Sequence, residues 1–237
     1  MPKTRMALLE LVGYREWTES IGDDREWKLQ ITQSRIYKKL QEAAAEFNGF
    51  IMPMRYDYMV LIASNLKQEE LFQIYKVAKE ISPVPVRLAS ACGDTPVDAV
   101  EEAWRYVRSG TDFKYAECSD REGVIAGHFD INGITAMTRK LGVLTTYSTM
   151  LHVISEIETR AHYRGAIAQY LGGDNILVVL PHENYEEIIE ELIAVHDLKV
   201  GVGIAGYARR ALALAAEALH EIRIGKVKGR VNVKTQE

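Results

Sequence analysis

"GAIAQYLGGDNILVVL", residues 165–180, decides the fold once it is laid over "GFIMPMRYDYMVLIA", residues 49–63. Each stretch reads as an apolar strand, a tight turn and a second apolar strand. Each turn carries an acid, Asp174 in one and Asp57 in the other. Gly172 and Gly173 suit a turn with positive φ, or a close approach of backbone to another body. An acid at the mouth of "ILVV" is poorly placed for packing. The stretch is either a plain hairpin or a hairpin that holds a carboxylate still.

The repeat extends in both directions. "EEAWRYVRSG" (101–110) lies over "AEALHEIRIG" (216–225), an offset of 115 residues. Before each comes an apolar strand with a small-residue turn, "VPVRLASACGDTP" and "LKVGVGIAGYA". Each copy reads strand, helix, strand–turn–strand, helix, strand, helix, and Leu29, Tyr37, Leu40 and Ala44 show the helical period. The pattern predicts an α+β chain of two tandem ferredoxin-like βαββαβ domains, with antiparallel sheets and helices packed on one face. The expected domains are 1–115 and 120–237, joined through the polar "SGTDFKYAECSDREG" (109–123).

Composition bounds the function. The chain has 237 residues, 47% hydrophobic and 26% charged, with a net charge of −4. No general basic surface exists for nucleic acid. No apolar run is long enough for a membrane span, and the start is too polar for a signal peptide, so a cytoplasmic protein without a membrane partner is expected. Cys92 and Cys118 lack CxxC spacing. They read as small core residues rather than a disulfide or a zinc site.

The second copy opens with "VIAGHFDINGITAMTRKLG" (124–142). Asp130 ends its strand, and Gly133 precedes a helical pattern. If this strand neighbours the "GGD" hairpin, Asp130 and Asp174 meet at one sheet edge. Two close carboxylates repel unless a cation lies between them, and oxygen-only ligands favour a hard cation such as Mg²⁺. The helix start after Gly133 offers N–H groups to phosphate. The pair reads as a Mg²⁺–nucleoside triphosphate site. The plain alternative is an N-cap Asp130 and a turn Asp174. His128 shares a side with Asp130 by strand alternation; it is a proton carrier or an ordinary strand-end polar residue.

"FDINGIT" followed by "GGDN", and the tail "AEALHEIRIGKVKGRV", resemble the palm-type nucleotidyl cyclase and GGDEF folds. Adding "YREWT" (14–18), "LQITQSRIYKKL" (29–40), "RYD" (55–57), "HFDINGIT" (128–135) and "GVGIAG" (201–206), nearly the whole chain resembles the archaeal GTP cyclohydrolase III family, which is built from two tandem palm-like domains. That resemblance implies hydrolytic opening of the guanine imidazole ring of GTP and cleavage of its triphosphate. The product would be a formylaminopyrimidine ribosyl monophosphate for flavin and deazaflavin synthesis. It implies Asp130 and Asp174 as metal ligands, helped by the Phe129 carbonyl, with His128 beside them. Asn132 and Gly133 would offer backbone to phosphate, Gly172, Gly173 and Asn175 would border the nucleotide, and Arg223 would pair with phosphate. Lys226 and Arg230 are weaker phosphate candidates. Mg²⁺ or Mn²⁺, a monovalent cation and a homo-oligomer, dimer or tetramer, are expected with it.

The first copy departs from the pattern. Aligning "YREWT" puts Val12 where a strand-end acid is expected, with Glu10 two residues away on the same side. Arg55 and Tyr56 stand in place of the glycines, and Arg55 either neutralises Asp57 or points at a triphosphate. The first half therefore reads as a degenerate copy that supports the second. Trp17, Trp27 and Trp104 read as core, and "HENYEEIIEELIAVH" (182–196) as a solvated amphipathic helix. Two other functions share the metal site, a nucleotidyl cyclase and a non-catalytic GTP sensor.

Overall fold

A computed structural model describes residues 1–236. The first half runs β1 (Thr4–Leu11), α1 (Tyr14–Ser20), α2 (Glu26–Glu46), β2 (Phe50–Pro53), β3 (Tyr58–Ile62), α3 (Gln68–Ile81), β4 (Val86–Gly93), α4 (Pro96–Arg108) and β5 (Phe113–Tyr115). The second repeats it: β6 (Val124–Ile131), α5 (Ile134–Leu141), α6 (Val143–Tyr163), β7 (Ile167–Gly172), β8 (Asn175–Leu180), α7 (Tyr185–Val195), β9 (Leu198–Ala205), α8 (Ala208–Arg223) and β10 (Val231–Thr235). The sheets have the orders β2-β3-β1-β4-β5 and β7-β8-β6-β9-β10, the same topology twice. The βαββαβ units are antiparallel, and each gains a fifth strand parallel to β4 or β9. No described helix is long and apolar enough to cross a membrane.

Alternation along the central strands sorts the helices. Ala7, Leu9 and Leu11 of β1 pack with Ile36 and Leu40 of α2 and Leu71 and Ile74 of α3. Met6 and Leu8 face the other way, onto Ala99, Ala103 and Val107 of α4. The two helices of each βαββαβ unit thus share one face as expected, and the last helix covers the opposite one. That opposite face is also where the halves meet, because Val124, Ala126, Val179, Ala208 and Ala211 join the same core. The last helices cross-dock: Val97 of α4 donates its N–H to the Gly165 carbonyl (3.1 Å), and Arg209 of α8 to the Asn48 carbonyl (3.1 Å). On β9 the glycines of "GVGIA" let α8 lie close, since a Cβ at Gly203 would fall within 1.9 Å of the Ala211 carbonyl oxygen.

The joint between the halves is built around Arg5, which is fully buried. Its guanidinium donates to Glu122 (Nε 3.0 Å, Nη2 2.8 Å) and to the Ala116 carbonyl (2.7 Å), and stacks over Tyr115. Glu122 in turn accepts the Asn65 N–H (2.6 Å), and the Asn65 side chain reaches the Gly206 carbonyl (2.7 Å). A buried charge is tolerable only when paired and hydrogen-bonded in this way.

Two expectations fail here. Cys92 and Cys118 are not separate core residues; they form a disulfide, with Cα atoms 5.8 Å apart. The end of β4 and the connecting segment are brought together by the parallel β4–β5 pairing, which spacing alone cannot show. Trp27 is 56% exposed on the first turn of α2, whereas Trp17 leans on Tyr14 and Trp104 on Tyr58. The stretch 182–196 does form an amphipathic helix, α7, burying Ile188, Ile189, Leu192 and Ile193.

Candidate active site

Asp130 and Asp174 meet at one sheet edge. β6 pairs with β8 so that Asp130 lies opposite Asn175, and the Ile131 N–H donates to the Asp174 carbonyl (3.0 Å), which ties the hairpin tip to the end of β6. Both acids line a cavity of about 630 Å³, together with Asn132, Gly133, Ile134, Thr135, Arg139, Lys140 and Lys199. Asp130 is 7% exposed. Its carboxylate is forked by Arg223, through Nη2 to Oδ1 and through Nε to Oδ2 at 3.3 Å. That hydrogen bond, opposed by desolvation, raises the Arg223 pKa.

Asn175 organises the second layer. Its Nδ2 donates to Asp174 Oδ1 (2.8 Å), and its Oδ1 lies 2.8 Å from His128 Nε2. A carboxylate only accepts, so the amide nitrogen must face Asp174. Oδ1 therefore accepts from His128, and the imidazole carries its proton on Nε2. Burial pushes the His128 pKa down, while the Asn175 contact opposes that shift, so the ring is neutral at pH 7.

The loop between β6 and α5 is held by Asn132, whose N–H donates to the Asp197 carbonyl (3.0 Å) and whose side-chain amide donates to Asp197 Oδ1 (2.8 Å). Asn132 is thus engaged in fixing the loop. Gly133, at φ 77°, turns the chain into α5 with no side chain capping the helix. Ile134, Thr135 and Ala136, the first residues of α5, line the cavity, and a helix start leaves its first N–H groups without helical partners.

The hairpin tip answers the question raised by its two glycines. Gly172 has φ 106° and Gly173 φ 62°. A Cβ at Gly172 would meet nothing within 4 Å, and one at Gly173 only Asn175 Nδ2 at 3.6 Å. Backbone conformation, not crowding within this chain, selects glycine here. The Tyr170 hydroxyl donates to the Gly173 carbonyl (3.1 Å) and steadies the tip.

The structure does not bring every candidate together. Phe129 is fully buried in the outer core, leaving only its main chain for the site. Lys226 turns away and pairs with Glu221. Arg230 donates to the Ile193 carbonyl (3.2 Å). Conversely, Lys199, Arg139 and Lys140 line the cavity without having been singled out from sequence. Lys199 is paired in register with Asp130 across the β6–β9 ladder. A lone cation in the apolar "LKVGVGIA" was the available signal.

In the first half the structure corrects the alignment. The Leu11 N–H donates to the Asp57 carbonyl, and the Val12 N–H to the Pro85 carbonyl (both 2.8 Å), as those of Ile131 and Asn132 do to Asp174 and Asp197. Glu10, not Val12, therefore holds the place of Asp130. Its carboxylate accepts from the Tyr58 hydroxyl (2.8 Å) and from Arg87 Nη1 (3.3 Å). Burial and this contact push the Tyr58 pKa up to about 12. Asp57 Oδ2 is bound by Arg55 at 2.7 Å, and its Oδ1 is buried without a partner.

The donor set at the Asp130 edge fits a hard divalent cation. Its carboxylates offer only oxygen, and Arg139, Lys140 and Lys199 line the same cavity. Among the described residues, one group of three potential His, Cys, Asp or Glu ligands lies within reach of a common ion, Cys92, Cys118 and Glu122. It is at the joint, its thiols are joined, and Arg5 already holds its carboxylate.

A family model described as GTP cyclohydrolase III matches residues 6–236. The GTP cyclohydrolase III of Aeropyrum pernix is 47% identical over 234 residues, covering 98% of this chain and 97% of that protein. Those of Sulfurisphaera tokodaii and Saccharolobus solfataricus are 37% and 32% identical, covering 91% and 94% of this chain and 92% and 96% of their own lengths. An EAL/GGDEF domain protein from M. capsulatus superposes on 50% of this chain and 88% of its own, at 15% identity and a TM-score of 0.43.

Proposed function

This chain belongs to the GTP cyclohydrolase III family, and we propose that it holds GTP where Asp130 and Asp174 meet. It is a GTP cyclohydrolase with two tandem palm-like domains. The observation that carries the site is the shared cavity, lined by Asp130 at the end of β6, Asp174 at the tip of the neighbouring β7–β8 hairpin, Lys199, Arg139, Lys140 and the start of α5.

In this reading Asp130, Asp174 and the Phe129 carbonyl would hold Mg²⁺, or Mn²⁺ in its place. Bound there, the ion would supply neutralisation of phosphate charge and Lewis acidity toward water. The amides after Gly133, with Lys199, Arg139 and Lys140, take the triphosphate. Arg223 leaves Asp130 to pair with phosphate oxygens. Gly172, Gly173 and Asn175 border the base or ribose, and a monovalent cation assists. Water adds to the imidazole-ring carbon of guanine, and the bond from that carbon to the ribose-bearing nitrogen breaks. The carbon stays as a formyl group on the other ring nitrogen, and the ribose-bearing nitrogen gains a proton. His128, neutral and hydrogen-bonded through Nε2 to Asn175, is the proton carrier. Hydrolysis of the triphosphate completes the formylaminopyrimidine monophosphate for flavin and deazaflavin synthesis.

The working form is a cytoplasmic homo-oligomer, a dimer or tetramer. The exposed Val143, Leu144, Tyr147 and Leu151 along α6 support self-association.

Incubation with GTP and Mg²⁺ under an ultraviolet spectrometer tests the reaction. Ring opening shifts the purine absorption. An unchanged base with released pyrophosphate would mean cyclisation, and no change at all would leave a sensor.

A further inference from the structure

Helix α8 has 16 residues and its counterpart α4 has 13. The cross-docking pair Val97 and Arg209 fixes the helix starts in register, so the extra turn is at the C-terminal end: Glu221, Ile222 and Arg223. Arg223 reaches Asp130 only because this turn exists. Helix ends fray, since their last carbonyls lack partners. A carboxylate in the last turn is also disfavoured by the helix dipole. Yet Glu221 is buried there, 9% exposed.

Its carboxylate is fully engaged on the side away from the site. Oε1 accepts from Lys226 and from Lys234 Nζ (3.1 Å), and Oε2 from Asn232 Nδ2 (3.1 Å). Asn232 and Lys234 belong to β10, the edge strand paired with β9. The Glu221 carbonyl adds bonds from the N–H groups of Lys226 (3.0 Å) and Val227 (3.3 Å). Residues two apart on a helix point in nearly opposite directions, so Glu221 faces β10 while Arg223 faces β6.

We infer that Glu221 is the positioning residue for Arg223, anchoring the extra turn of α8 to β10 so that the guanidinium is held over the Asp130 edge. The inference rests on Arg223 being the phosphate ligand, and deepens that reading. Lys226 and Lys234 hold the Glu221 pKa down to about 2, so the anchor is charged at any working pH.

Two measurements test it. Exchange of the Arg223 Nε–H, followed by NMR without nucleotide, reads the Arg223–Asp130 pair directly. Glu221→Gln should speed that exchange, whereas unchanged exchange overturns the inference. Binding of a non-hydrolysable GTP analogue reads the consequence. Glu221→Gln and Arg223→Gln should each weaken it by about tenfold, the scale of one charge-assisted hydrogen bond. The double variant should bind no more weakly than Arg223→Gln alone; additive losses would mean that Glu221 acts on the fold generally and would overturn positioning. Should Glu221→Gln not fold, Lys234→Gln removes one leg of the anchor from β10 and is expected to change exchange and binding in the same direction, less strongly. If Arg223→Gln leaves binding intact while Glu221→Gln still loosens the Nε–H, the phosphate reading fails and the positioning stands.

Discussion

The two halves share one backbone and differ in how each treats its strand-end acids. In the first half Glu10 is closed off by Tyr58 and Arg87, and Asp57 by Arg55. In the second, the same places hold Asp130 and Asp174, with glycines in place of Arg55 and Tyr56, and Asn175 in place of Tyr58. Arg87 has become Lys199 on the cavity wall. Each half pairs its acid with an arginine, Glu10 with Arg87 of a neighbouring strand and Asp130 with Arg223 from the end of α8. The second half's acids also line a cavity shared with Arg139, Lys140 and Lys199, and that cavity is what makes this edge the candidate site.

The largest effect expected from that contrast is on turnover. Asp130→Asn or Asp174→Asn should lower GTP turnover by orders of magnitude with the melting temperature nearly unchanged. Glu10→Gln and Asp57→Asn should cost far less activity. Equal losses in both halves would show two working sites. The same open edge should need Mg²⁺ or Mn²⁺, so activity should vanish with EDTA; recovery with Zn²⁺ alone would contradict the oxygen donor set.

Next in size is the disulfide, which belongs to the first half and its joint. Cys118→Ser should destabilise by about 3 kcal/mol, by the entropy of a loop of this size. Thermal melts with and without reductant measure it, and activity well below the melting temperature should be unaffected. A melt indifferent to reductant would mean that the joint is held by Arg5 and Glu122 alone.

Gly173→Ala sharpens the hairpin comparison. Tyr56, its counterpart, adopts φ 64°, so a side chain can occupy this conformation at a cost of about 1 kcal/mol. If the tip borders the nucleotide, GTP affinity should fall further than the melt explains. An unchanged dissociation constant would reduce the glycines to a turn.

The smallest effect is a pH dependence. His182 takes the place that Asn65 has in the first half, and burial pushes its pKa below the ordinary 6.5, opposed by the Gly123 backbone. A depressed histidine favours folding while neutral. Its contribution is full above the unfolded pKa and declines as pH falls through 6.5 toward the lower folded value. Stability measured across that window should lose part of its slope in His182→Gln, and an identical slope would remove His182 from the account.

Sequence alone determined the repeat, the strand–turn–strand units and the approach of Asp130 to Asp174. All three rest on short-range signals: alternation, glycine pairs and helical period. The family resemblance covered the rest of the chain. Three things waited for tertiary structure. The counterpart of Asp130 is Glu10, because the separation between copies shrinks from 120 residues at Glu10 and Asp130 to 117 at Asp57 and Asp174 and 112 at Arg87 and Lys199. Length differences between elements hide such shifts from a single offset. The offset of 115 that aligns the ends of α4 and α8 likewise conceals the extra turn carrying Arg223. Cys92 and Cys118 meet only through a parallel strand pair. Ladder register, helix length and strand order are set by packing across long sequence separations, and local pattern carries no record of which distant residue lies opposite.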